Sequence, residues 1–160
     1  MAESYSTGFR NAKLTSGSVK QILDGGEIHI FDGTKPVDAD ATEGTANLLC
    51  VITKDALAHV AGQLTNGLTW SSPAVGGVLS KTVGEVWKGL GTALAGTGKI
   101  ATWFRYYDKN VTTGASTTAI RYDGNVGSST AYDLQLSVTT IVENAPIEIR
   151  TGTFTEKATA

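Results

Sequence analysis

Apolar and polar residues alternate along this chain with two different periods. A two-residue period over Lys99–Asp108 places Ile100, Thr102, Phe104 and Tyr106 on one side and Ala101, Trp103, Arg105 and Tyr107 on the other, which predicts a strand. The same alternation predicts strands over Glu27–Asp32, where Ile28 and Ile30 oppose Glu27, His29 and Phe31, over Leu134–Val138, and over Ile147–Phe154. Asn47–Thr53 is apolar on both sides, the pattern of a central strand. Leu68–Trp70, Gly77–Leu79 and Thr117–Tyr122 read as further short strands. Val19, Ile22 and Leu23 follow the helical period instead and predict a helix over Ser16–Leu23, capped by Ser16 or Ser18 and stopped at Gly25-Gly26. Val86 and Leu90, four apart, predict one helical turn in Gly84–Leu90. Lys54–Gly67 follows neither period and leaves helical turn and strand end open.

Between these runs stand turn residues. Gly33-Thr34-Lys35-Pro36, Asp108-Lys109-Asn110 and Asp123-Gly124-Asn125 are read as turns, and Val37–Thr45 as an acidic loop. Residues 1–13 are expected to form an extended N-terminal arm and residues 156–160 a flexible tail around one domain, residues 14–155. About eight short strands in one domain predict an all-β fold of β-sandwich or jelly-roll type.

Composition sharpens this picture. The 160 residues suffice for one hydrophobic core without a staple. Hydrophobic residues make up 41% and charged residues 18%, against the balance of a disordered chain. The 19 glycines are scattered between apolar runs, as many turns require. A net charge of -2 with no Lys/Arg run gives no nucleic-acid footprint. Cys50 is the single cysteine, so no intrachain disulfide forms. No signal peptide or membrane-spanning stretch is read, and folding in a bacterial cytoplasm is expected.

Candidate chemistry is sparse. His29 and His59 are the two histidines; His29 stands mid-strand and is expected to face solvent or a partner, and no Gly-x-Ser-x-Gly elbow accompanies either. Cys50, in the most apolar strand, is expected to be inert packing. Asp38/Asp40, Asp108/Asn110 and Asp123/Asn125 echo the start of a calcium loop, but the closing acidic residue is missing after Asp108 and Asp123, and turn formation explains these pairs. Gly96-Thr97-Gly98 lacks the further glycine or lysine of a phosphate loop. No catalytic residue, metal ligand or cofactor is therefore assigned.

Three blocks carry a family resemblance. They are Gly25-Gly26-Glu27-Ile28-His29-Ile30-Phe31-Asp32-Gly33-Thr34-Lys35-Pro36 with Asp38-Ala39-Asp40; Gly96-Thr97-Gly98-Lys99-Ile100-Ala101-Thr102-Trp103-Phe104-Arg105; and Asp123-Gly124-Asn125-Val126-Gly127 with Tyr132-Asp133-Leu134, before a last strand ending Thr153-Phe154-Thr155. Over most of residues 9–155 the chain resembles small structural proteins of tailed-bacteriophage virions. The resemblance implies a non-enzymatic virion protein of capsid decoration type, binding capsid protein or other virion proteins, with a homotrimer expected by analogy. A neck, tail or fibre position is the alternative, and a receptor- or carbohydrate-binding module gripping through Trp70, Trp87 or Tyr107 is another. The middle, Asn66–Lys88, departs from the pattern and carries Trp70 and Trp87, which the sequence leaves open between core and contact. Candidate interface residues are Tyr5, Phe9, Arg10, Asp38, Asp40, Trp70 and Trp87.

Overall fold

The computed structural model describes residues 3–156. In chain order they form β1 (Ser4–Tyr5), α1 (Thr7–Thr15), α2 (Val19–Leu23), β2 (Glu27–Phe31), β3 (Leu48–Lys54), β4 (Val78–Ser80), β5 (Trp87–Leu90), a short 3-10 turn (Ala93–Ala95), β6 (Lys99–Ile100), β7 (Trp103–Tyr107), β8 (Arg121–Gly127), β9 (Leu134–Leu136), β10 (Thr140–Ile141) and β11 (Pro146–Thr155). Strands β8, β7, β2, β3, β5, β11 and β9 pair in that order, and β9 returns to β8, so seven strands close into a barrel. The closing pair is parallel, Val126 beside Leu134 and Gly127 beside Gln135. The other pairs of the ring are antiparallel. Outside the ring, β1 extends from β8 and β4 from β11, while β6 and β10 make a separate two-stranded ribbon. The fold is all-β and single-domain as expected, but its sheet closes on itself rather than stacking as two layers. Closure gives the ring strands a partner on both sides and so removes exposed edges.

Register explains the interior. Ile28 pairs with Ile52 and Tyr106, Ile30 with Cys50 and Phe104, and Tyr106 with Tyr122. Opposed residues share a face, so these side chains converge inside the barrel, joined by Leu134, Leu136, Ile147, Ile149 and Phe154. The Tyr106 and Tyr122 rings stack at 5.4 Å.

The helix over α2 forms where expected, with Ser18 and Gln21 making a reciprocal capping box. The expected extended arm is a correction: apart from Met1 and Ala2, which lie outside the described residues, residues 3–13 form β1 and most of α1. Ser6 caps α1 by accepting from the Phe9 amide at 3.0 Å, and its hydroxyl donates to the Ala119 carbonyl at 2.7 Å. Phe9 is fully buried against the Tyr5, Tyr122 and Phe154 rings, at 5.4, 6.0 and 5.7 Å. Burying one phenylalanine ring contributes roughly 1.5–3 kcal/mol, which holds the N-terminal segment on the barrel. Residues 157–160 of the expected tail lie outside the described residues.

Two further elements differ from expectation. Gly84–Leu90 is not a helical turn; it ends in β5, where Lys88 pairs with Thr53 and Glu148 and Gly89 pairs with Ile147. Pairing on both sides outweighs the weak four-residue spacing of Val86 and Leu90. Asp123-Gly124-Asn125 is not a turn but the middle of β8. A Cβ on Gly124 would stand 2.5 Å from Phe104 Cε1, so this glycine admits a core ring instead of bending the chain.

Candidate functional site

Strands β2, β7 and β8 present a second, polar set of rows on the outside of the barrel. Glu27, Tyr107 and Arg121 align across the strands, as do His29, Arg105 and Asp123, and Phe31, Trp103 and Asn125. All nine are buried, because loops fold over this face. His29, expected to face solvent or a partner, is covered within the chain itself.

The acidic loop 37–45 is fastened by two arginines. Arg105 donates Nε and Nη2 to the Asp123 carboxylate at 2.6 and 2.8 Å, and Nη1 to the Ala41 carbonyl at 2.8 Å and to Glu43 at 3.0 Å. Tyr107 donates its hydroxyl to Glu43 at 2.5 Å. Arg121 donates to the carbonyls of Ala39, Asp40, at 2.9 Å, and Thr112, at 3.1 Å. Burial opposes the Arg105 charge, but the bonds and field of Asp123 outweigh it and raise its affinity for the proton. Burial would likewise push the Glu43 carboxyl up, yet the bonds from Tyr107, its own amide and Arg105 hold it below the ordinary carboxylate value. Burial, followed by the neighbouring Arg105 charge, lowers Arg121.

Glu27 joins both histidines. Its Oε1 lies 2.6 Å from His29 Nε2 and its Oε2 lies 3.2 Å from His59 Nδ1, while His59 Nε2 lies 3.0 Å from the Gln63 carbonyl. This cluster ties the segment after β3, which neither sequence period described, to the outer face. Among the described residues, no hydroxyl or thiol is hydrogen-bonded to either ring, and no group of three or more acidic, histidine or cysteine side chains is placed to hold a metal ion. Cys50 is buried in the core, and burial pushes its thiol up to about 12.

The candidate interface residues separate into three groups. Phe9, Trp70 and Trp87 are core and are corrected as surface anchors: the two indoles meet edge to face at 5.0 Å, Trp70 Nε1 donates to Tyr106 Oη at 3.1 Å, and Trp87 Nε1 donates to Glu85 at 2.6 Å. Internal partners for both N–H groups are what allow these rings to be fully enclosed. Tyr5 is half-buried and donates to Glu3, and Asp40 is half-buried, accepting from the Thr7 amide and hydroxyl at 2.8 and 2.6 Å. Arg10 and Asp38 are exposed; Asp38 accepts the amides of Asp40 and Ala41 and so forms a turn. Tyr107, named as a carbohydrate contact, is buried on the outer face.

Sequence reasoning missed an exposed apolar feature, the β6–β10 ribbon. Ile100 pairs with Thr140. By alternation, Val138, Thr140 and Val142 face the same way as Ile100, and Ile141 faces inward and is buried. Ile100 is 64% exposed, Val138 48% and Val142 38%. Leu90 and Leu94 flank this ridge on the segment to which it is hydrogen-bonded, and are also about half exposed. The signal was present as exposed-face β-branched residues, but assigning Lys99–Asp108 to one strand hid it. The chain switches partners at Ala101-Thr102: the Ala101 amide donates to Thr139 and the Thr102 amide to Phe31.

Compared with protein-family models, with curated proteins and with solved structures, the chain matches none. Among the described residues no helix is long and apolar enough to cross a membrane.

Proposed function

We propose that this protein is a non-enzymatic structural component of a bacteriophage virion, acting as a capsid decoration protein that binds assembled shell subunits and stabilises them. The observation that carries a contact role is the bare apolar ridge of Ile100, Val138 and Val142. Contiguous exposed apolar surface of this kind marks protein contacts. The buried charges support the same reading from the other side. Arg105 and Arg121 donate to loop carbonyls of the same chain, Asp123 is spent on Arg105, and Glu27 on His29 and His59, so the polar chemistry serves architecture. The virion assignment itself rests on the sequence blocks around Gly25–Asp40, Gly96–Arg105 and Asp123–Leu134.

In this reading the ridge meets capsid protein, and a homotrimer presents several ridges to neighbouring subunits. A ligand that binds the assembled state alone stabilises it by mass action. Capsids assembled without the protein provide the test. Saturable binding at a fixed ratio to capsid subunits, with slower disruption on heating, is expected. Binding to necks or tails with none to capsids would move the protein to another position in the particle.

A further inference from the structure

An open groove of about 560 Å³ lies beside the ridge, between the end of β8 and the loop leading to β9. Asn125 lines it and is only 9% exposed, yet its side-chain amide has no hydrogen-bond partner among the described residues. No enclosed side-chain nitrogen or oxygen among the described residues is left unsatisfied, so this amide reaches open space, and the groove is the opening it lines. An amide held back in this way offers an NH2 group to donate and a carbonyl oxygen to accept.

The walls have a matching character. Tyr132 is half exposed, and one side of its ring rests on Gly127, where a Cβ would stand 2.2 Å from Tyr132 Cδ2. Glycine at 127 therefore lets the ring lie down as a wall of the groove. Asp133 Oδ2 accepts the backbone N–H of Asn125 at 2.9 Å, which fixes the carboxylate and leaves Oδ1 for a ligand. Hydroxyls of Ser128 and Thr139 also line the groove.

We infer that this groove binds a neutral carbohydrate. Among the described residues no lysine or arginine lines it and Asp133 is its one charged residue, so phosphate or carboxylate ligands would meet repulsion without compensation. A sugar ring fits every element: its C–H face covers the Tyr132 ring, neighbouring hydroxyls donate to Asp133, and one hydroxyl both donates to and accepts from Asn125. The volume suits one or two hexose units. The groove adjoins the proposed shell contact at Ile100, which lines its edge, while Asn125, Tyr132 and Asp133 are not ridge residues and give the surface a second partner class.

The test uses the full-length protein labelled with ¹⁵N and titrated with maltotriose, cellotriose, mannotriose and galactobiose. At least one probe is expected to give saturable shifts at residues 125–133. Asn125→Ala and Tyr132→Ala are each expected to weaken binding about tenfold or more, the loss of one good contact. Asn125→Ala removes no internal hydrogen bond and keeps the fold, which guards against a trivial loss. Val142→Asp is expected to leave sugar binding unchanged while removing shell binding. No response to any of the four probes, shifts elsewhere on the surface, or binding indifferent to Asn125→Ala would overturn the inference. Retained shell binding in that case would leave the proposed function standing.

Discussion

The outer face of β2, β7 and β8 and the β6–β10 ribbon use their residues in opposite ways. The first carries two arginines, two carboxylates and a histidine, and all are covered. The second carries Ile100, with Val138 and Val142 beside it, and these are exposed. A surface predicted from residue type alone would be drawn the other way round. The difference follows from hydrogen bonding. Carbonyls of Ala39, Asp40, Ala41 and Thr112 need donors once the loops fold down, and the arginine forks supply several each. The ribbon strands are too short to bury both faces.

Four expected outcomes break or sharpen this contrast. The largest is Asp123→Ala, which leaves the enclosed Arg105 Nε and Nη2 without an acceptor and only Glu43 opposite its charge; a loss of about 3–5 kcal/mol is expected in denaturant unfolding, with early proteolysis in residues 37–45. If stability is unchanged, the clamp is not structural. Phe9→Ala is expected to cost about 3–5 kcal/mol through a cavity beside Tyr122 and Phe154. A near-neutral Phe9 variant would restore the extended arm that the sequence suggested.

Glu43→Gln is smaller, about 1 kcal/mol at neutral pH. Its carboxyl is held below the ordinary value in the folded protein, so its contribution is present above the unfolded carboxylate range and is lost as pH falls through the folded value. The gap between wild type and Glu43→Gln should therefore close on acidification; a gap that widens contradicts the clamp's electrostatics. Smallest in stability is Ile100→Asp, expected within about 0.5 kcal/mol of wild type because the side chain is exposed. Its effect belongs to binding.

Much of the barrel was legible in the sequence. Period-two runs located β2, β7 and β11, two-sided apolarity marked β3, and capping serines marked α2. Three features were not, for physical reasons. Closure between β8 and β9 pairs short segments whose partner lies across the ring, which no local pattern records. Gly124 carries a turn signal but serves ring packing. Ser6, an ordinary polar residue, starts a helix because Phe9 finds Tyr122 and Phe154 far along the chain. The ridge was masked for a similar reason, since Ile100 reads as inward-facing until the strand is seen to break at Ala101-Thr102. The Asn125 groove had no sequence signal beyond a pair already explained as a turn.

The most direct test of the account is co-sedimentation of wild type and Ile100→Asp with capsids assembled without the protein. The account predicts saturable binding by wild type at a fixed ratio to capsid subunits, and loss of that binding in an Ile100→Asp protein that unfolds at the same denaturant concentration. Equal binding by both proteins, or binding by neither, would contradict it.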